Sequence, residues 1–438
     1  MLDIKFIREN PKEIRENLKK RRNNEKLKDL ERLIELDEKV RKLKWESQKL
    51  RTQRNKLSRK VGELKKAGKD ASEIIEKVNG INAGIEKIEN ETEVLEENLI
   101  QIQMRIPNIL HESVPYGKDE EDNEVVSEWG GRPDAGFEIK SHVDLIETLN
   151  LADISRAAKI AGSRFFFLKN ELVMLDIAMQ KLALEMLIDR GFSPIYPPFM
   201  MRRTPYEGVT DLADFGDVMY KIEDEDLYLI ATSEHPIAAM YMDEIFEPTQ
   251  LPIKFAGIST CFRKEAGTHG KDTKGVFRVH QFSKVEQFVF SHPDDSWKIH
   301  EELRENMEAY FRKLEIPYRI VNVCTGDIGI VASKKYDLEA WMPGQDRYRE
   351  LGSCSNCTSY QATRLNVKHR IEKGSAEKDY LHTLNSTMVA NPRAFVAILE
   401  NFQQEDGTVE IPKALHKYLP PKMREIRVDK DWLGSSKK

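Results

Sequence analysis

Residues 261–290 read CFRKEAGTHGKDTKGVFRVHQFSKVEQFVF, and the rest of the chain is organised around them. Apolar residues alternate through Phe277, Val279, Phe282, Val285, Phe288 and Phe290, the period of two that marks a half-buried strand. Cys261-Phe262 closes one strand and Val276–Phe290 supplies the next. The intervening segment, Ala266–Gly275, holds three glycines and no large apolar side chain, so it is a loop and not core. Arg263, Glu265, Arg278 and Glu286 lie on segments whose other members call for burial, and buried charge is costly unless it is paired or meets a ligand. Two arginines and two carboxylates suit a ligand carrying both phosphates and an amine. They also suit an edge hairpin laced by cross-strand ion pairs.

Upstream, residues 26–106 carry two heptad runs. The first seam is Leu33, Leu36, Val40, Leu43, Ser47, Leu50, Arg54, Leu57, Val61 and Leu64. The second is Ile74, Val78, Ile81, Ile85, Ile88, Thr92, Leu95, Leu99, Ile102 and Ile106. Steps of three and four define a coiled-coil seam. Between the runs Gly68 supplies a helix stop, and Asp70 or Ser72 can cap the next helix. The expected element is an antiparallel two-helix coiled coil, roughly 55 Å long at the helical rise. From Lys39 to Lys69 there are thirteen basic residues against Glu46 and Glu63, while 70–110 holds nine carboxylates against Lys77, Lys87 and Arg105. Pairing between the helices neutralises only part of that excess. The remainder is a basic stripe toward the tip, suited to a phosphate backbone; a plain dimeriser or spacer is the alternative.

The whole-chain balance gives no such signal. The 438 residues are 33% charged with a net charge of −5, so any nucleic-acid surface is local. No apolar run approaches a membrane span, and the charged start MLDIKFIRENPKEIRE lacks a signal-peptide core. Four cysteines form no disulfide framework, which points to a reducing, cytoplasmic setting. Cys354-x-x-Cys357 has no second ligand pair, so zinc is not expected. Residues 107–134, with Pro, Gly and an acidic cluster, read as a surface linker. Helical patterns follow at 142–149 and 172–190, the latter amphipathic through Leu172, Leu175, Met179, Leu182 and Met186. Leu227–His235 reads as an apolar strand ending in Thr232-Ser233-Glu234, a helix N-cap pattern. At 382–403 a polar strand gives way at Pro392 to an apolar helix. Arg393 lies in its first turn, where a cation opposes the macrodipole. Strands and helices mix without βαβ regularity, the mark of an α+β domain, and no G-x-x-x-x-G-K-[ST] loop is present.

Arg263-Lys264-Glu265 ending a strand, followed by a loop and Arg278-Val-His-Gln-Phe-Ser-Lys-Val-Glu286, closely resembles motif 2 of the class II aminoacyl-tRNA synthetases, and of the seryl-tRNA synthetases in particular. The helix, Gly191 and Pro-containing strand at 172–198 resemble motif 1, and residues 382–403 resemble motif 3. The N-terminal arm is likewise a hallmark of that family. The resemblance implies an arm at 1–110 and a class II catalytic domain at 120–438, with an antiparallel sheet flanked by helices. It implies activation of L-serine with ATP, then transfer to tRNA(Ser), with tRNA(Sec) as a further acceptor it allows. The tRNA would be gripped by the arm and by the motif 2 loop, and the protein would be a homodimer. Thr232, Glu234, Arg263, Glu286 and Thr387 would meet serine. Arg263, Glu265, Arg278, Phe282, Glu350, Ser353 and Arg393 would meet ATP, with Phe282 stacked on the adenine and Glu265 facing its amino group. Glu350 and Ser353 would hold Mg²⁺. Asn385-Ser386-Thr387-Met388 lacks the glycines of the common bacterial motif 3 and is nearer archaeal and eukaryotic forms. No class I signature is present. A ligase that loads a carrier protein would lack the arm. A catalytically dead RNA-binding paralogue would be expected to have lost at least one of Arg263, Glu265, Glu286, Glu350 and Arg393, and all five are present.

Overall fold

The structure, a computed structural model, describes residues 1–133, 135–211, 218–265, 275–428 and 430. The chain divides into two compact units, Met1–Pro107 and Asn108–Lys438.

The first unit is all helical. Two short helices that the sequence did not announce, α1 (Ile4–Glu9) and α2 (Pro11–Lys20), open it. Asp3 caps α1 by accepting from the amides of Lys5 and Phe6, and Pro11 starts α2, where its missing N–H costs nothing. They dock on α3 (Asn24–Lys66) through Arg8, which grips the buried Asp37 with two bonds of 2.9 Å. α3 and α4 (Ser72–Gln103) form the expected hairpin, and every residue of the two predicted seams is buried or half-buried. The turn is a Schellman motif: Lys69 N–H reaches Leu64 O at 2.9 Å, Gly68 N–H reaches Lys65 O at 3.2 Å, and Gly68 takes φ +68°. The N-cap of α4 is Ala71; Asp70 serves the next turn by accepting from Ser72 N–H.

The second unit is built on an eight-stranded sheet. In chain order its strands are β1 (Glu124–Trp129), β2 (Ser193–Ile195), β3 (Ile253–Phe262), β4 (Gln281–Ser291), β5 (Tyr318–Asn322), β6 (Lys334–Met342), β7 (Arg347–Asn356) and β8 (His382–Ala390). Their order across the sheet is β1-β5-β6-β7-β8-β4-β3-β2. Each pairing is antiparallel except β2 on β3, so the motif 1-like strand joins the edge in parallel. One face is covered by α5 (His142–Thr148), α6 (Glu171–Ile188), α8 (Ser296–Lys313) and α9 (Asn391–Asn401), which share a core with the sheet. The predicted stripe of α6 is buried throughout, each such side chain contributing about 1.5–3 kcal/mol.

Three expectations change. Residues 107–134 are not a mere linker: Leu110 and Val114 pack with Val323, Ile328 and Ala332, and β1 adds to the sheet edge through β5. The second hairpin strand starts at Gln281, leaving Phe277 and Val279 buried but outside it. Nor is β4 half-buried, because Lys284–Ser291 are buried on both faces. Val285 and Val289 meet the helices, whereas Phe288 and Phe290 meet a second cluster with Tyr206, Ile230 and Phe246. Alternation between two apolar faces cannot be told from alternation between core and solvent when polar residues punctuate one of them.

Candidate active site

Cross-strand partners share a face of the sheet. The register opposes Glu286 to Thr387 and Gly257, Ser355 to Asn385 and Lys335, and Ser353 to Asp337. Four adjacent strands, β4, β8, β7 and β6, therefore bring polar side chains to the face that carries Phe288 and Phe290 farther along β4. A cavity of about 270 Å³ opens there. Lining it together are Thr232, Glu234, Arg263, Glu265, Arg278, Phe282, Glu286, Glu350, Ser353, Thr387 and Arg393.

Each is fixed by its neighbours. Glu234 begins α7 (Glu234–Ala239), and its amide donates to Thr232 Oγ1 at 3.2 Å. Ser233 is the N-cap but makes no side-chain cap bond, and the strand expected at 227–235 is only Tyr228–Leu229. Gly257 lets α7 lie against the sheet beside Glu286: a Cβ there would fall 2.5 Å from Ile237 Cδ1. Glu286 is almost fully buried, ion-paired to Lys284, and accepts from Thr387 Oγ1 at 3.2 Å. Arg263 donates from Nε to Ala231 O at 3.3 Å, and its guanidinium lies 5.3 Å from the Phe282 ring centre. Glu265 sits at φ +49°, a conformation that costs a non-glycine residue about 1–2 kcal/mol. Arg164 holds it there through its carbonyl at 2.7 Å, and Arg278 approaches its carboxylate at 3.7 Å. Arg393, in the first turn of α9, binds both the carbonyl (2.9 Å) and the carboxylate (3.1 Å) of Glu350. That anion answers the unfavourable helix dipole. Ser353 donates to Glu350 Oε1 at 3.2 Å.

The charges are arranged unequally. Burial, reinforced by the charge of Glu286, pushes the Glu234 carboxyl up to about 7. Burial would raise Glu350 too, but Arg393 and then Lys335 hold it well below the usual carboxylate range. Burial pushes the Asp337 carboxyl up, with Lys335 opposing and the Glu350 charge adding to the rise. A site with one reluctant carboxylate deep on the α7 side and one persistent carboxylate beside Arg393 can hold an ammonium group and a phosphate–cation assembly side by side.

Comparison with known proteins decides the family. Residues 1–110 match the family model described as Seryl-tRNA synthetase N-terminal domain, and residues 220–402 match tRNA synthetase class II core domain (G, H, P, S and T). The chain is 56% identical over 422 residues to the serine--tRNA ligase of Methanospirillum hungatei, covering 96% of this chain and 99% of that one. The chain belongs to the seryl-tRNA synthetase family. Among solved structures, the Pyrococcus horikoshii seryl-tRNA synthetase complexed with ATP superposes with a TM-score of 0.91 at 50% identity, covering 97% of this chain and 99% of that one. The cytoplasmic serine-tRNA ligase of Naegleria fowleri in complex with AMP gives 0.86 at 35% identity, covering 98% and 99%.

Sequence reasoning missed several members of the cavity. Lys284 stands two residues before Glu286, on the same face of β4. Lys335 lines the cavity too, with the buried Asp337 two residues on outside the lining, and a charge at alternate positions of Lys-Lys-Tyr-Asp-Leu-Glu-Ala-Trp was the available signal. Arg164 and His280 act from outside: His280 Nδ1 lies 2.7 Å from Arg263 O, within a run quoted for its motif without a role for this residue, and no local pattern marks Arg164. The loop expected to touch the tRNA falls largely on 266–274, outside the described residues. Cys354 and Cys357 are buried and free.

Proposed function

We propose that this chain is a serine–tRNA ligase, which condenses L-serine with ATP to seryl-adenylate and transfers serine to the 3′ end of tRNA(Ser). The observation that carries this reading is the convergence of eleven motif residues, drawn from five separate stretches, on one cavity. A serine carboxylate oxygen attacks the α-phosphorus, the α–β bridging bond breaks, and pyrophosphate leaves with the bonding pair. The terminal ribose hydroxyl of the tRNA then attacks the acyl carbon and AMP departs. Catalysis is by positioning and charge stabilisation. Arg263 neutralises the α-phosphate with Phe282 packed beside it, Arg278 adds a phosphate contact, Glu265 faces the adenine amino group, and Arg393 takes the γ-phosphate. Ionised Glu234, with Thr232, receives the serine ammonium. Glu286 and Thr387 surround the hydroxyl, and alanine would give the desolvated Glu286 carboxylate one partner fewer than serine does.

Glu350 and Ser353 fit Mg²⁺: two oxygen donors 3.2 Å apart, one a carboxylate held ionised, suit an ion bound through one or two carboxylates together with substrate phosphates. Bound there, Mg²⁺ would supply charge neutralisation on the ATP phosphates. The arm supports the tRNA step. Its cross-helix ion pairs, Lys39–Glu91, Lys44–Glu96 and Arg51–Glu89, all lie at or before Arg51 on α3. Beyond them Lys56, Arg59, Lys60, Lys65, Lys66 and Lys69 make no ion pair among the described residues. A homodimer is supported by the apolar residues exposed along the motif 1-like segment, Val173, Ile177, Ile188 and Tyr196. Sedimentation that shows a fully active monomer at micromolar concentration would refute it. No helix among the described residues is long and apolar enough to cross a membrane, and buried free thiols suit the cytoplasm.

The experiment is ATP–pyrophosphate exchange across the twenty amino acids. Serine should lead alanine by about 10⁴, the discrimination that a buried hydroxyl-binding site achieves. A different leading amino acid, or none, refutes the reading.

A further inference from the structure

A second cavity, of about 310 Å³, adjoins the first and shares Glu234, Lys335, Ser355 and Asn385 with it. Its other walls are residues 209–211 and the connection 328–332 between β5 and β6. Arg263, Glu265, Phe282 and Arg393, which hold the nucleotide in the reading above, take no part in it. The second cavity therefore meets the serine end of the site without crossing the adenine or the phosphates. A further cavity adjoins the nucleotide end, where it shares Arg278, Glu350 and Arg393 with the first. Anything entering there meets the phosphates first.

The walls narrow the occupant. Ile328, Ile330 and Val331 give apolar area, while Thr210, Ser355 and Asn385 give hydrogen-bonding groups. The charged members among the described residues are Asp211, Glu234 and Lys335. Burial pushes the His235 imidazole down to about 3, so it adds no charge. Two carboxylates against one ammonium disfavour a phosphate. They accept a neutral group with an apolar face and a polar edge, such as a nucleoside, and the volume lies in the range of small-ligand pockets. In the transfer step the seryl-adenylate fills the first cavity, so the hydroxyl that attacks its acyl carbon must arrive from a side the adenylate leaves open. We propose that the second cavity receives the 3′-terminal nucleoside of the tRNA and presents its ribose hydroxyl to the acyl carbon. The new bond joins the ribose oxygen to that carbon, the acyl–phosphate bond breaks with its pair on AMP, and the hydroxyl proton leaves with AMP. This rests on the ligase reading above, with serine held at Glu234.

The test uses the full-length protein saturated with seryl-sulfamoyl adenosine, an unreactive stand-in for the adenylate that keeps the adenine site filled. tRNA(Ser) ending in an azidoadenosine, irradiated on this complex, should label residues within 328–332 or 209–211, read by mass spectrometry of the peptides. Labelling confined to other segments overturns the proposal. Val331→Trp adds bulk to the second cavity alone, because Val331 does not line the first. Single-turnover transfer from preformed seryl-adenylate to tRNA(Ser) should then fall on the order of 10²-fold, with serine-dependent pyrophosphate exchange within about twofold of wild type. A raised KM for serine in the exchange makes the cavity the entrance of the amino acid, and unchanged transfer makes it idle; either overturns the proposal. Should Val331→Trp fail to fold, the labelling of the wild type decides. A wild type without serine-dependent exchange overturns the functional reading instead.

Discussion

The arm and the catalytic body solve the problem of buried charge in opposite ways. In the arm, apart from Asp37 at its base, charge stays at the rim: Lys39–Glu91, Lys44–Glu96 and Arg51–Glu89 are all half open to water, and exposed pairs of this kind contribute about 0–1 kcal/mol each. In the body, Lys284, Glu286, Asp337 and Lys334 are all less than a tenth exposed, and each would be a net cost without a partner. The arm spreads cheap cations over a long surface, as a polyanion requires. The body gathers costly charges, Lys284 and Glu286 among them, at one cavity, as a small reactive ligand requires.

The largest effects should separate the two regions. Arg263→Ala should lower serine-dependent pyrophosphate exchange by about 10²–10³, the worth of one charge-stabilising donor. An arm cut back at the Arg51–Glu89 pair keeps the inter-helix ion pairs below that point and removes the cationic tip. It should leave exchange within about twofold while lowering kcat/KM for tRNA(Ser) on the order of 10²-fold, with a shallower dependence on salt. If the shortened arm charges tRNA(Ser) normally, the tip is a spacer and the contrast fails.

An intermediate effect probes the reluctant carboxylate. With the Glu234 group pushed up to about 7, the ionised form that meets an ammonium is the minor one below that pH. kcat/KM for serine should therefore rise about tenfold per unit as pH climbs toward 7 and level off above it. Glu234→Gln should remove this limb and be slower at every pH above 7. A wild-type profile flat from pH 5.5 to 8 would show that Glu234 does not meet the ammonium.

The smallest effect tests the arm's own economy. Gly68 has φ +68°, and a Cβ added there would meet nothing within 4 Å, so Gly68→Ala brings only backbone strain. The expected loss is about 1 kcal/mol in unfolding by denaturant. A loss above about 3 kcal/mol would mean that the turn carries packing as well.

Legibility differed between the regions for the same reason. A two-helix coiled coil is made of contacts between residues three and four apart and between neighbouring helices, so the heptads named the seam residue by residue, down to Arg54 and Thr92. The motif residues of the body were likewise legible, because strand ends and helix starts keep fixed local order: Arg263 and Glu265 after β3, Glu286 on β4, Arg393 at the start of α9. What the pattern misjudged was burial. Residues 107–134 look solvated by composition, yet their backbone supplies an edge to β5. The alternation on β4 looked one-sided although both its faces are covered.

By itself, then, the chain's order of residues determined the helical hairpin, the α+β class and the set of side chains that bear the chemistry. Only the tertiary structure decided their company. Register across the strands put Glu286 against Thr387 and Asp337 opposite Ser353, and the packing of α9 put Arg393 on Glu350. The first of those pairings joins residues 101 positions apart, and no local periodicity encodes which strand lies beside which. Protonation follows from the same assembly: Glu234 and Glu350 are the same residue type, and burial next to Glu286 sends one up while the charge of Arg393 sends the other down against its burial.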